Sequence, residues 1–376
     1  MPDPLGMPAG EAASDRLTPD EIRALRDGCE RALNGHGLRT AADALAELSA
    51  LPAGDLTSDV YGDGGVVGVL ETEVRGLLGM PAAVFMPSGT MAQQIALRVH
   101  ADRTGRRVVA FHPTCHLELH EDKAYQRLHG LVGRPLGDAR ELLTLDDIEA
   151  IREPIAALLI ELPQREIGGR LPAWPDLEAQ VAAVRQRGAA AHLDGARLWE
   201  SGPFYGRPLS EIAGLFDSVY VSFYKGLGGL AGSMLLGDAD LVSEARSWRS
   251  RHGGTLYNLW PYAAAGLIGL RTRLPRMPAY VAHARAIAEA LATIDGVQIV
   301  PDPPQTSMMH LHLRTDRASA IGGIRLMATE QRLWTWGGSM STDTPGIYRI
   351  ELNVGDATLE FTPAEVATAV RALLPG

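Results

Sequence analysis

The sequence is poor in cysteine: Cys29 and Cys115 are the two thiols among 376 residues. Two thiols cannot build a disulfide framework, and without a CxxC pair they do not outline a zinc site. A reduced, cytoplasmic protein is the expectation. No apolar run approaches membrane-spanning length, and Met1–Arg16 is rich in Pro, Gly and Asp without a hydrophobic signal core. An excess of positive charge is also missing. The formal net charge is -10, which argues against broad binding to nucleic acid or to an anionic membrane surface. It leaves room for a local basic pocket that takes a phosphate or carboxylate. Lysines are few.

What is present is an ordinary globular composition, 46% hydrophobic and 21% charged, with ample material for a core. The length suits a large α/β domain with a smaller partner. The expected organisation is an N-terminal tail and helices over 1–55, a large domain over 56–274 and a small α+β domain over 275–376. Met1–Asp15 reads as a loose tail. Thr18-Pro19-Asp20-Glu21 then carries a capped helix start, with Thr18 as cap and Glu21 able to complete a capping box. A second helical stretch covers Thr40–Leu48.

From about Asp59, short apolar runs alternate with amphipathic stretches. Strands are predicted at Ala82–Met86, Arg107–Phe111, Ile155–Leu162, Ala189–Leu193, Ser218–Phe223 and Ser233–Leu236. Helices are predicted at Val69–Leu78, Thr90–Ala101, Leu145–Ile151, Trp174–Arg187 and Ala239–Arg249. This order predicts a mostly parallel sheet covered on both faces. An Ala- and Leu-rich helical region follows, broken at Pro275 and Pro278. Strands at Val297–Val300, Met308–Leu313 and Tyr348–Val354, and a helix opened by Thr362-Pro363-Ala364-Glu365, make the small domain.

Ligands of parallel sheets sit beyond the carboxyl ends of the strands. Ser88-Gly89-Thr90 follows the first strand and opens a helix, whose free N–H groups suit a phosphate; a plain Ser88 N-cap is the structural alternative. His112, His116 and His120 would share one helical face and suggest a metal. Pro113 opposes a helix starting at His112, and HExxH is missing, so ring stacking or proton transfer by one histidine is the better reading. Asp194 ends an apolar run, so it should be partly buried and need a partner, a role that a protonated pyridine would fill. Lys225 follows a strand and precedes a glycine-rich run that would let backbone approach a flat ligand. Partial desolvation would lower its proton affinity and make the amine nucleophilic. Arg349 lies in a strand of the small domain, where it could hold a carboxylate through paired N–H bonds or form a salt bridge to another element. Gly62–Gly68 lacks a preceding strand and the GxGxxG spacing, and reads as a flexible loop.

Together, Asp59-Val60-Tyr61-Gly62, Pro87-Ser88-Gly89-Thr90-Met91-Ala92, His192-Leu193-Asp194-Gly195-Ala196-Arg197-Leu198 and Lys225-Gly226-Leu227-Gly228 resemble the threonine aldolase / β-eliminating lyase family of fold-type I pyridoxal-phosphate (PLP) enzymes. The likeness runs from about Asp59 to Gly237 and more faintly beyond. It implies an α/β fold-type I architecture, PLP as cofactor and retro-aldol cleavage of a β-hydroxy-α-amino acid such as threonine to glycine and an aldehyde. β-Elimination or aldol transfer on another amino acid is the alternative chemistry, and a metal-binding α/β protein the alternative class. Lys225 would form the Schiff base, Asp194 would pair with the pyridine nitrogen and His116 would stack on the ring. Ser88, Gly89, Thr90 and Ser222 would hold the phosphate. Arg197 and Arg349 would hold the substrate carboxylate, with Gln164 and Tyr61 also on the substrate side. Glu121 matches a family carboxylate. A homodimer or homotetramer with shared sites is implied.

Three departures bear on the substrate, the first being that the family's opening Arg-Ser-Asp-Thr segment, whose serine touches the substrate carboxylate, has no matching stretch in this N-terminal region. Gln164 stands where the family has a histidine near the β-hydroxyl, and Tyr257 stands where it has an arginine, with Arg249 or Arg251 as nearby cations. The base for the β-hydroxyl is then His116, His120 or a water.

Overall fold

The computed structural model describes residues 17–338, 340, 342 and 344–375. The tail expected over Met1–Asp15 lies outside the described residues. The chain divides into two compact units, one of residues 40–277 and one joining the N-terminal segment to residues 278–376. The stretch expected as one N-terminal region over 1–55 is therefore divided. The helix Pro19–Asp27 goes with the smaller unit and the helix Ala41–Ser49 with the larger.

In the larger unit, seven strands form one sheet among the described residues. They are β1 Ala82–Met86, β2 Val108–Phe111, β3 Val132–Pro135, β4 Ala157–Glu161, β5 Ala190–Gly195, β6 Ser218–Ser222 and β7 Ser233–Gly237. Their spatial order is β1-β7-β6-β5-β4-β2-β3. β7 runs antiparallel to both its neighbours, and the other pairings are parallel. The mostly parallel sheet expected from the alternation is present, and the carboxyl ends of β1, β2, β4, β5 and β6 share one edge. β4, β6 and β7 are buried at every position, and β5 at every position but its first, Ala190, as strands sheathed by helices must be.

The sheathing helices are α1 Gly65–Leu78, α2 Gly89–Thr104, α3 Trp174–Gln186, α4 Ala239–Arg251 and α5 Trp260–Thr272. Val84, Met86, Ile95, Val99, Leu235 and Leu241 knit β1, β7, α2 and α4 into one apolar cluster. Phe111, Leu159, Leu97 and Tyr125 form a second on the β2–β4 side. A fully buried Phe or Leu of this kind contributes about 1.5–3 kcal/mol.

The loop before α1 is fixed rather than flexible. Buried Asp59 accepts from the N–H groups of Gly62, Leu259 and Trp260 at 2.8 Å each, tying the loop to the start of α5. The helical region after the sheet breaks at Leu274–Arg276, around Pro275, and Pro278 sits in the first turn of the helix Met277–Leu291, where a missing N–H costs nothing.

The smaller unit has an antiparallel sheet of β8 Val297–Val300, β9 Met308–Arg314 and β10 Ile347–Asn353, with β9 central. Its N-terminal segment is held by a short parallel ladder, Arg31–Ala32 beside Leu333–Trp334. The capping boxes at Thr18/Glu21 and Thr362/Glu365 form as the sequence spelled them.

Candidate active site

The site is built on the carboxyl edge of the larger sheet. Asp194 lies in β5, buried, with Oδ1 accepting from Ala196 N–H at 3.0 Å. Its register partner is Glu161, the last residue of β4. Glu161 accepts from Arg165 N–H and from Gln164 Nε2, each at 3.2 Å. Two buried carboxyls side by side resist ionisation. Burial, then the charge of Asp194, pushes Glu161 up to about 8. Burial also raises Asp194, against the pull of Lys225 and His116.

Lys225 stands in the turn that follows β6 and faces the same pocket as Asp194, Glu161, His116, His120 and Arg197. Burial, then the Arg197 guanidinium, lowers its proton affinity, while Asp194 and Glu161 oppose the shift. An amine in that balance is easier to free for nucleophilic attack than an exposed lysine. The glycines after it serve the protein's own packing. A Cβ at Gly232, where φ is +93°, would strike the Phe85 ring, and one at Gly229 would lie 2.9 Å from the Phe223 carbonyl oxygen.

The three histidines divide among three partners. His112 is buried, with Nε2 at 2.7 Å from the Glu141 carbonyl oxygen. A one-turn helix opens only at His116, past Pro113. His116 Nδ1 meets buried Glu121 at 3.1 Å, and Gln94 donates to the other oxygen of Glu121 at 3.2 Å. His120 Nε2 meets Glu166 at 3.0 Å. Among the described residues no group of His, Cys, Asp and Glu could hold a metal ion.

Ser88 caps α2 through Oγ, accepting from Met91 N–H at 3.3 Å. Ser222 and Ser233 are register partners, and Ser233 Oγ donates to the Ser88 carbonyl at 2.9 Å. Thus Ser88, Gly89, Thr90 and Ser222 gather at one end of the edge, at the positive end of a long helix. Ser222 Oγ is buried, and no hydrogen bond of normal length reaches it; the Tyr220 and Tyr224 hydroxyls are its interacting neighbours. Gly89 cannot carry a side chain, because a Cβ there would collide with the Tyr220 hydroxyl.

Three further residues were expected on the substrate side. Tyr61 is 55% exposed, with its ring edge-on to Tyr257 at 5.3 Å and its carbonyl held by Arg249. Arg249 also holds the Phe85 carbonyl at 2.9 Å. Gln164 is buried and spends its amide on Glu161. Arg349 belongs to the smaller unit, on β10 opposite His312.

Glu161, Arg165, Glu166 and Thr114 line the pocket without having been singled out. One signal was available for Glu161: like Asp194, it is the acid that ends an apolar run. Arg165 and Glu166 lie in the turn after β4 and carried no local pattern.

The fold and this strand-edge pocket define a fold-type I PLP-enzyme architecture. The profile of the β-eliminating lyase family matches residues 39–315, and the chain belongs to that family. The low specificity L-threonine aldolase of Escherichia coli K12 is 31% identical over 284 residues, covering 74% of this chain and 83% of that protein. The low-specificity L-threonine aldolase 1 of Arabidopsis thaliana is 28% identical over 281 residues, covering 72% and 78%. A solved Listeria monocytogenes structure, provisionally named an L-allo-threonine aldolase, superposes with a TM-score of 0.87 at 40% identity, covering 94% and 98%. No helix among the described residues is long and apolar enough to cross a membrane.

Proposed function

We propose that this protein is a PLP-dependent carbon–carbon lyase that cleaves a β-hydroxy-α-amino acid of the threonine kind to glycine and an aldehyde. The observation that carries the reading is the convergence of Lys225 and Asp194, from neighbouring strand ends, on one pocket with His116 and Arg197. The residues suit the cofactor chemically: an amine whose proton is loosened by burial, a buried acid on the adjacent strand, a buried serine hydroxyl and a helix N-terminus.

Bound PLP supplies an electron sink conjugated to the substrate amine. Lys225 Nζ would hold it covalently. Asp194 would keep a proton on the pyridine nitrogen, a charged partner that offsets the cost of its own burial. His116, braced by Glu121 and Gln94, would lie against the ring. Ser88, Gly89, Thr90 and Ser222 would take the phosphate. Arg197 would orient the substrate carboxylate. We also read the protein as a cytoplasmic homo-oligomer, in keeping with its free thiols and the family it joins.

The test is the visible absorbance of the purified protein before and after borohydride, with peptide mapping of the reduced adduct. The adduct is expected on Lys225. Release of glycine and aldehyde from L-threonine and L-phenylserine should exceed a Lys225→Ala background by on the order of a thousand-fold. Pyruvate and ammonia from serine-type substrates, without aldehyde, would assign β-elimination instead.

A further inference from the structure

We propose that His120, held by Glu166, is the group that takes the β-hydroxyl proton during carbon–carbon cleavage; the inference rests on the lyase reading of this pocket. His120 and Glu166 come from the loops after β2 and β4, and their 3.0 Å contact joins two walls of the pocket that contains Lys225. The Glu166 side chain is 12% exposed and is itself held by Arg165 at 2.8 Å. A fixed carboxylate on one imidazole nitrogen sets the tautomer and leaves the other nitrogen with its lone pair. Here Nε2 faces the carboxylate, which as an ionised acid can only accept, and no hydrogen bond is found at Nδ1 among the described residues. The His120 side chain is 41% exposed, so a substrate entering the pocket can reach it.

The other groups are committed. Gln164 donates to Glu161, and an amide accepts no proton at neutral pH. Glu161 keeps its own proton up to about pH 8. Asp194 is reserved for the pyridine nitrogen and Lys225 for the covalent bond. His116 has a braced ring whose face is used for stacking in this reading, and its centroid lies 5.1 Å from that of His120.

The step balances as follows. The β-hydroxyl proton passes to His120 Nδ1, and the C–O bond becomes the aldehyde carbonyl. The Cα–Cβ bond breaks, and its electron pair stays with the glycine half, which is then protonated at Cα. Glu166 is a positioning residue that stabilises the imidazolium formed in this step.

The test compares wild type, His120→Ala, His120→Asn, Glu166→Gln and Glu166→Asp, all as PLP-loaded protein. With L-phenylserine, kcat for aldehyde release should fall about 100-fold or more in both His120 variants, with KM unchanged. Glu166→Gln should lose less, and Glu166→Asp should recover part of that loss. The absorbance change on adding glycine, which has no β-hydroxyl, should persist in every variant. Added imidazole should restore turnover to His120→Ala. Wild-type kcat in both His120 variants, or loss of the glycine response in parallel with kcat, would overturn the role of His120 while leaving the lyase reading intact. A wild-type protein that releases no aldehyde from any β-hydroxy amino acid would overturn both.

Discussion

Asp194 and Glu161 occupy equivalent places. Glu161 ends its strand and Asp194 stands one residue from the end of the next, the two are register partners, and both are raised by burial. They differ in what surrounds them. Lys225 pulls both toward their charged forms; His116 adds to that pull on Asp194, whereas Glu161 feels the charge of Asp194 against it. A buried pair of acids so arranged carries one charge comfortably and two at high cost. We read the charge on Asp194, facing the proposed pyridinium, and the proton on Glu161.

That division can be broken most sharply at Asp194. Asp194→Asn should lower aldehyde release by on the order of 100-fold or more, while Glu161→Gln, which copies a protonated acid, should leave turnover at pH 7 near wild type. Equal losses in steady-state assays of the two variants would erase the distinction.

The next effect is on stability. Glu161 is raised from 4.5 to about 8 in the folded chain. Between those values the folded state keeps a proton that the unfolded state has released. The resulting stabilisation is complete below about pH 4.5 and is lost as pH rises through about 8. The loss is on the order of a few kcal/mol. Urea midpoints of the cofactor-free protein should therefore fall between pH 6 and pH 9, and Glu161→Gln should flatten that fall. A slope unchanged by the substitution would show that Glu161 does not hold the proton.

The smallest effect belongs to Gln164. Gln164→Ala removes one buried hydrogen bond to Glu161 and should cost about 1 kcal/mol in urea unfolding, with KM for L-phenylserine unchanged. A rise in KM would place Gln164 on the substrate side.

Much of the larger fold could be read from its periodicity. Ala82–Met86 and Val297–Val300 form strands with the expected bounds. β3 went unread because Gly133, Arg134 and Pro135 are poor strand formers, tolerated where a strand lies at the sheet's edge. The helix Arg317–Glu330 was hidden by Gly322 and Gly323. Gly323 is required because a Cβ there would strike the Ala372 backbone, a contact invisible to a local scan. Strand β5 shows the limits of motif reading in the site. His192 and Asp194 stand two apart in one motif, yet His192 is satisfied by Gln93 and Ser218 at 2.7 Å each. Burial pushes it down to about 3. It is a structural residue beside a candidate catalytic one.

By itself the sequence determined the local terms: apolar runs that must be strands, caps that must start helices, and an acid and a lysine at strand ends where ligands of parallel sheets bind. The chain holds two lysines, Lys123 and Lys225, and the second was marked out by its place after a strand and before a glycine-rich run, while its role came from the family resemblance. Tertiary structure decided which groups share a charge. The register that sets Glu161 beside Asp194, and the loop geometry that brings Glu166 to His120 across 46 residues, depend on pairings distant in the chain. Proton affinity follows burial and neighbouring charge, and both exist only once those distant segments have packed together.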